Sequence, residues 1–153
     1  MSLDVDVATL NVRAPLARSA IAEIARRTLR AEGVRDALIS VTLVDTTTMA
    51  RLNRTHLGHR GATDVISFQF NRVRRLDPVI GDVYVCPAMA RRNAAERRTR
   101  VREEVARLVI HGLLHVLGHD HPEDDDRETS PMWRRQEQLV RRWTRAGGRR
   151  RAT

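Results

Sequence analysis

The run His111-Gly112-Leu113-Leu114-His115-Val116-Leu117-Gly118-His119-Asp120-His121 constrains this chain more than any other stretch. Val105, Leu108, Val109, Leu113, Val116 and Leu117 recur at helical spacing before and through it, which predicts a well-buried helix. His111 and His115 stand one turn apart, so both imidazoles leave the same face of that helix. Gly118 supplies a residue that can leave a helix with positive φ. The chain then turns back, and His121 can meet the other two from outside the helix. Three neutral imidazoles with a fourth corner open to water form the pattern of a catalytic rather than a structural zinc.

The spacing HxxxHxxGxxH is also that of the metzincin proteases, which carry Glu directly after the first His as general base. Here that place is Gly112, so the metal geometry is kept while the protease base is missing. His119 is a competing ligand, but it follows the turning Gly and would point away if His121 points in. Asp120 is a candidate acceptor for a ligand's other ring N–H, which would fix the tautomer. Imidazole also suits nickel, copper and iron, so zinc is the expectation and not a certainty of spacing.

A chain of 153 residues is long enough for one domain with a real core. Aromatics make up only 3%, so that core must be Leu, Val, Ile and Ala. No run of about 18 apolar residues suggests a membrane span, and Met1-Ser2-Leu3-Asp4 does not open like a secretory signal. The lone Cys86 forms no internal disulfide and suits a reducing cytoplasm. The net charge is +9, carried by arginine alone with no lysine. Guanidinium forks suit phosphate, so a polyanion such as RNA, DNA or the ribosome is the expected partner. Few aromatics argue against base-stacking platforms, which leaves salt-sensitive backbone contacts.

In chain order, Leu3 to Val12 alternates as a half-buried strand. Pro15 opens a helix with Leu16, Ile21, Ile24 and Leu29 on one face, ended by Gly33. Residues 38–44 form a second strand, and Asp45 or Thr46 caps a short helix running to about Asn53. A polar loop covers 54–62. Strands at 63–70 and 79–86 make a hairpin with a basic turn, carrying Arg72, Arg74 and Arg75, at its tip. Pro87 starts a helix to about Arg97, and Thr99 starts the long helix with the histidines. The acidic run Glu123–Asp126 follows, and Pro131 opens a last helix. Residues 147–153, with Arg149, Arg150 and Arg151, are expected to be a disordered basic tail beyond a domain at 3–146. Strand, helix, strand, then hairpin, then helices predicts an α+β domain with one small mixed sheet of about four strands packed on helices.

The run HGLLHVLGHDH closely resembles the signature HGxLHLxGxDH of the YbeY family, with Val116 in place of Leu. Leu52-Asn53 followed by Thr63-Asp64-Val65-Ile66-Ser67-Phe68 is similar to that family's LN…TDVLSF segment, and Gly81-Asp82-Val83-Tyr84-Val85 to its GDIxIS strand. Met132 and the helix of Glu137 match its C-terminal element, so the resemblance covers most of residues 3 to 145. It implies one zinc per chain held by His111, His115 and His121. It also implies a cytoplasmic, metal-dependent endoribonuclease that cleaves single-stranded RNA, matures the 3′ end of small-subunit ribosomal RNA and serves ribosome quality control. The implied partners are ribosomal RNA, a small-subunit ribosomal protein and an assembly GTPase, with no membrane.

One departure bears on catalysis. The family pattern YRGxDxPTD, aligned on Thr63-Asp64, puts Leu57 where members carry a catalytic Arg. Arg60, three residues on, is a candidate substitute from a mobile loop, and His59 and His56 are candidate proton donors. An Arg near the metal would hold phosphate and offset growing charge; Arg60, Arg72, Arg74 and Arg75 are the candidates. Arg91, Arg92, Arg97, Arg98 and Arg100 would track the RNA backbone or solvate a face. Two other readings compete: a metal-stabilised assembly factor that binds RNA without turnover, which the Leu57 departure favours, and a zinc protease, which Gly112 disfavours.

Overall fold

Residues Glu104 to Val116 are apolar on nearly every side, and a helix of that kind must be enclosed by the rest of the chain. The computed structural model, which describes residues 1–120 and 128–152, encloses it. The elements are β1 (Leu3–Leu10), α1 (Arg18–Ala31), β2 (Ala37–Val44), α2 (Thr46–Leu57), β3 (Val65–Phe70), β4 (Val79–Val85), α3 (Pro87–Arg97), α4 (Val101–Val116) and α5 (Pro131–Ala152). Between Glu104 and Val116 only Arg107 and His115 escape full burial. Helix α4 lies on β3 and β4, with α1, α3 and α5 packed around it.

The sheet runs β1-β2-β4-β3. β1–β2 and β2–β4 are parallel, and β4–β3 is the antiparallel hairpin, registered from Val65 opposite Val85 to Phe70 opposite Ile80. The mixed α+β sheet read from the sequence is therefore the one found. Period-two alternation turns Ala37, Ile39, Val41 and Leu43 of β2, and Val79, Val83 and Val85 of β4, toward the helices. Val44, Met49, Ile66 and Cys86 form a second, smaller core under α2. Asp45, not Thr46, caps α2: its Oδ1 accepts from Thr48 N–H at 2.9 Å.

Two glycines set how closely helix and sheet approach. A Cβ on Gly112 of α4 would lie 2.6 Å from Val83 Cγ1, and one on Gly81 of β4 would lie 2.5 Å from Val116 Cγ1. Each is far inside van der Waals contact, so α4 seats on β4 only with hydrogen at both places.

Several boundaries differ from the periodicity. β1 stops at Leu10 because Asn11 turns with φ 59°. α1 begins at Arg18, since the chain bends after Pro15 to bury Leu16 first. α4 starts at Val101, after Arg98 turns at φ 58° between it and α3. α5 continues through Ala152, past Gly147 where the composition predicts a basic tail. Arginine is a good helix former, and each glycine costs a helix only about 1 kcal/mol. The acidic run at 123–126 and His121 lie outside the described residues. Among the described residues no helix is long and apolar enough to cross a membrane.

Candidate metal centre

The helix that must be buried also carries the histidines, so its last turns decide the site. α4 ends in a doubly bonded turn. His119 N–H donates to Leu114 O at 2.9 Å and Gly118 N–H to His115 O at 3.0 Å, with Gly118 at φ 97°. That turn folds the His119 carbonyl back over the helix end, where it accepts from His115 Nδ1 at 2.9 Å. The His119 side chain faces elsewhere, with Nε2 3.4 Å from Glu32 Oε2. His111, only 7% exposed, has its Nδ1 2.7 Å from Oε1 of Gln136 on α5. The two rings stand edge to face with centroids 4.6 Å apart.

Both imidazoles are thus held at Nδ1, so Nε2 is the nitrogen of each that could ligate a metal. Two imidazoles oriented in this way could supply two corners of a tetrahedral metal site. Among the described residues no group of three or more His, Cys, Asp and Glu stands close enough to hold a metal. His121, the third imidazole of the motif, lies outside those residues.

Behind Gln136 runs a chain of charges. Gln136 Nε2 donates to Glu137 Oε2 at 3.0 Å, and Arg107 clamps Glu137 through Nε and Nη2, each at 2.9 Å. Arg107 also binds Glu104, which is 1% exposed and meets Arg97 Nε at 3.4 Å. Arg97 in turn lies over Trp133, 5.1 Å from the ring centre. Burial alone would raise the Glu137 carboxyl, but the Arg107 and Gln136 hydrogen bonds outweigh it and hold it below its ordinary value. Burial likewise opposes charge on Arg107, yet Glu137, Glu104 and Glu103 raise it above the ordinary guanidinium value. The buried ions are therefore paired, as buried ions must be.

The histidines line a cleft of about 440 Å³ whose other walls include Leu57 of α2, Asp64, and Ser67 and Gln69 of β3. β3 is an edge strand. Asp64 is steadied from both ends: Oδ2 accepts from Asn93 Nδ2 at 3.2 Å and its carbonyl from Cys86 N–H at 2.9 Å. Position 112 points at Val83 and Val65 of the sheet. No side chain fits there, so the protease base is absent for a packing reason as well.

The structure brings His111 and His115 together but gathers few of the other candidates around them. Leu57 does line the cleft, at the place of the family Arg. Arg60 lines a different groove, of about 800 Å³, with Thr46, Thr47, Arg51 and Arg54. His59 is an exposed loop residue whose backbone N–H reaches Asn53 O at 3.3 Å, and His56 packs edge-on against Phe68. Arg72 and Arg75 line a third groove with Glu32, Asp36 and Asp77, away from the histidine cleft. Arg74 is exposed, and its backbone N–H donates to Asp77 Oδ2 at 2.7 Å. Asp120 is exposed past the Gly118 turn; Gln136 and the His119 carbonyl are the partners at Nδ1 of His111 and His115. Gln136 was not among the sequence candidates. Its one signal is a polar side chain on the inward stripe of Met132, Leu139 and Val140.

Comparison with known proteins follows the same lines. The family model for Endoribonuclease YbeY matches residues 5–144. The chain is 37% identical over 112 residues to the Endoribonuclease YbeY of Cutibacterium acnes, covering 69% of this chain and 71% of that one. It is 36% identical over 140 residues to the Endoribonuclease YbeY of Thermobifida fusca, covering 86% and 89%. The solution structure of TM1509 from Thermotoga maritima superposes with a TM-score of 0.59 at 25% identity, over 91% of this chain and 88% of that one. With an anchored histidine pair on a buried helix, and a family model matched across nearly its whole length, this chain belongs to the endoribonuclease YbeY family.

Proposed function

We propose that this protein is a zinc-dependent endoribonuclease that cleaves single-stranded RNA, acting in maturation of the small-subunit ribosomal RNA 3′ end and in ribosome quality control. The observation that carries the reading is the pair of imidazoles held at Nδ1 on the floor of an open cleft. The relatives' name, endoribonuclease, supplies the reaction class, and a net charge of +9 supports a polyanionic substrate. One zinc would be held by His111 and His115 with His121 as third ligand, and Asp120 would serve as an acceptor for a ligand ring N–H. A zinc ion there would contribute Lewis-acid chemistry and a lowered water pKa.

The chain's own residues bind and orient the strand. Asp64, kept in place by Asn93, accepts from ribose hydroxyls, while Ser67 and Gln69 donate to phosphate oxygens. The groove of Arg51, Arg54 and Arg60 adjoins in sequence, through Ala62 and Thr63, and guides the backbone toward the cleft. In this reading Arg60 holds a flanking phosphate and not the scissile one. The basic hairpin tip with Arg72, Arg74 and Arg75, and the His59 loop, lie outside the reacting centre. Partners are ribosomal RNA, a small-subunit ribosomal protein and an assembly GTPase, in the cytoplasm.

The test is cleavage of a single-stranded model RNA by purified protein, with chelator and then with zinc restored. Activity that disappears and returns, and is absent in His115→Ala, supports the reading; undiminished cleavage after complete zinc removal refutes it. Leu57 in the cleft favours a second reading, an RNA-binding assembly factor without turnover. A folded histidine variant that restores ribosome maturation in cells would select it.

A further inference from the structure

From the hydrogen-bond chain behind His111 we infer that Gln136 is a positioning residue that locks His111 in its Nδ1–H tautomer, with the amide held in one orientation by the Glu137–Arg107 ion pair. The inference rests on the metal reading of the site. A glutamine is ambiguous by itself, because its amide can present either oxygen or NH₂ to an imidazole. Here the choice is forced. Arg107 grips both oxygens of Glu137 at 2.9 Å, so the carboxylate is ionised and can only accept. Gln136 lies 3.0 Å from Glu137 Oε2 and must meet it with Nε2–H; the flipped amide would set two acceptors against each other. Oε1 is then what faces His111 at 2.7 Å, and Nδ1 must be the donor. The ring proton stays on Nδ1, and the lone pair stays on Nε2 for a metal.

His115 reaches the same state by a simpler route, since the carbonyl of His119 can only accept. One ligand is therefore tuned by a backbone turn local to α4. The other is tuned by α5, 25 residues along the chain. Gln136 is 1% exposed, so water does not compete for this bond. Partners of this kind on metal-binding histidines are worth about 10–100-fold in metal affinity.

The test uses the full chain. In metal-free wild type, the ring ¹⁵N shifts and long-range couplings of His111 report its tautomer directly, and the inference requires Nδ1–H. Gln136→Met, similar in length but without an acceptor, should relax His111 to a tautomer mixture. It should also weaken zinc binding at least tenfold in competition with a chromophoric chelator. Gln138→Met, two residues on and so on the exposed side of α5, should change neither. An Nε2–H tautomer in wild type overturns the inference without any variant, as does zinc affinity within twofold of wild type in a folded Gln136→Met. An Nδ1–H tautomer together with an absence of RNA cleavage would instead defeat the nuclease reading and leave this one standing.

Discussion

Replacing Gly112 by Ala should destabilise the protein, against the ordinary rule for helices. In a helix interior the change normally gains about 1 kcal/mol. Here the added methyl would stand 2.6 Å from Val83 Cγ1 and 3.3 Å from Val65 Cγ2. Val83 is fully buried and has nowhere to withdraw. Overpacking of this kind costs about 1–3 kcal/mol. Taking its upper part and subtracting the helix gain leaves a net loss of about 1–2 kcal/mol, or roughly 2–8 °C in Tm for a chain of this size. Val83→Ala alone removes two methyl groups and should cost about 2 kcal/mol. In the double variant the new methyl occupies space that Val83 vacated, so the pair should lose less than the sum by about 1 kcal/mol or more. Urea unfolding of the four proteins, with chelator in every sample, gives these values as midpoint shifts at constant slope. A Gly112→Ala protein more stable than wild type, or strictly additive losses, would refute the close seating of α4 on β4.

Arg107→Met should cost about 3 kcal/mol in the same assay, because it leaves the buried carboxylate of Glu104 with Arg97 as its remaining ion-pair partner among the described residues and frees Glu137; a loss under about 1 kcal/mol would mean the ion chain is not held as described. The Glu137 carboxyl is lowered in the folded protein, so its contribution to stability is full above its ordinary value of 4.5 and is lost as pH falls through the lower folded value. Glu137→Gln should therefore flatten the stability–pH curve below 4.5, and an unchanged curve there would contradict the assignment. Asp45→Ala should cost about 1 kcal/mol through loss of the α2 cap, with no change in zinc affinity. Changing Arg51, Arg54 and Arg60 together to Ala should lower the slope of log affinity for single-stranded RNA against log salt by about 2, at roughly 0.7 per phosphate contact. An unaltered slope removes that groove from the RNA path.

What the sequence determined by itself is what short-range spacing encodes. Apolar residues at helical and strand periods placed the strands and the helices that pack on them, with Pro87 marking α3, because the face a residue occupies depends only on its own element. The i, i+4 pairing of His111 and His115 set both rings on one side, and the glycine after Leu117 set where the helix ends. Only the tertiary structure decided what meets those rings and what does not. Gln136 reaches His111 because α5 packs on α4, and Glu137 orients it because Arg107 sits opposite; no spacing within one segment carries that. Arg60, three residues from the family Arg place, faces another groove, since the loop after α2 turns at Gly58 and Gly61 with positive φ. Gly112, missing the carboxylate of a protease, proved to be a packing residue whose hydrogen lets the histidine-bearing helix rest on the sheet. Periodicity is a property of one segment, whereas a site is made where distant segments exclude water together.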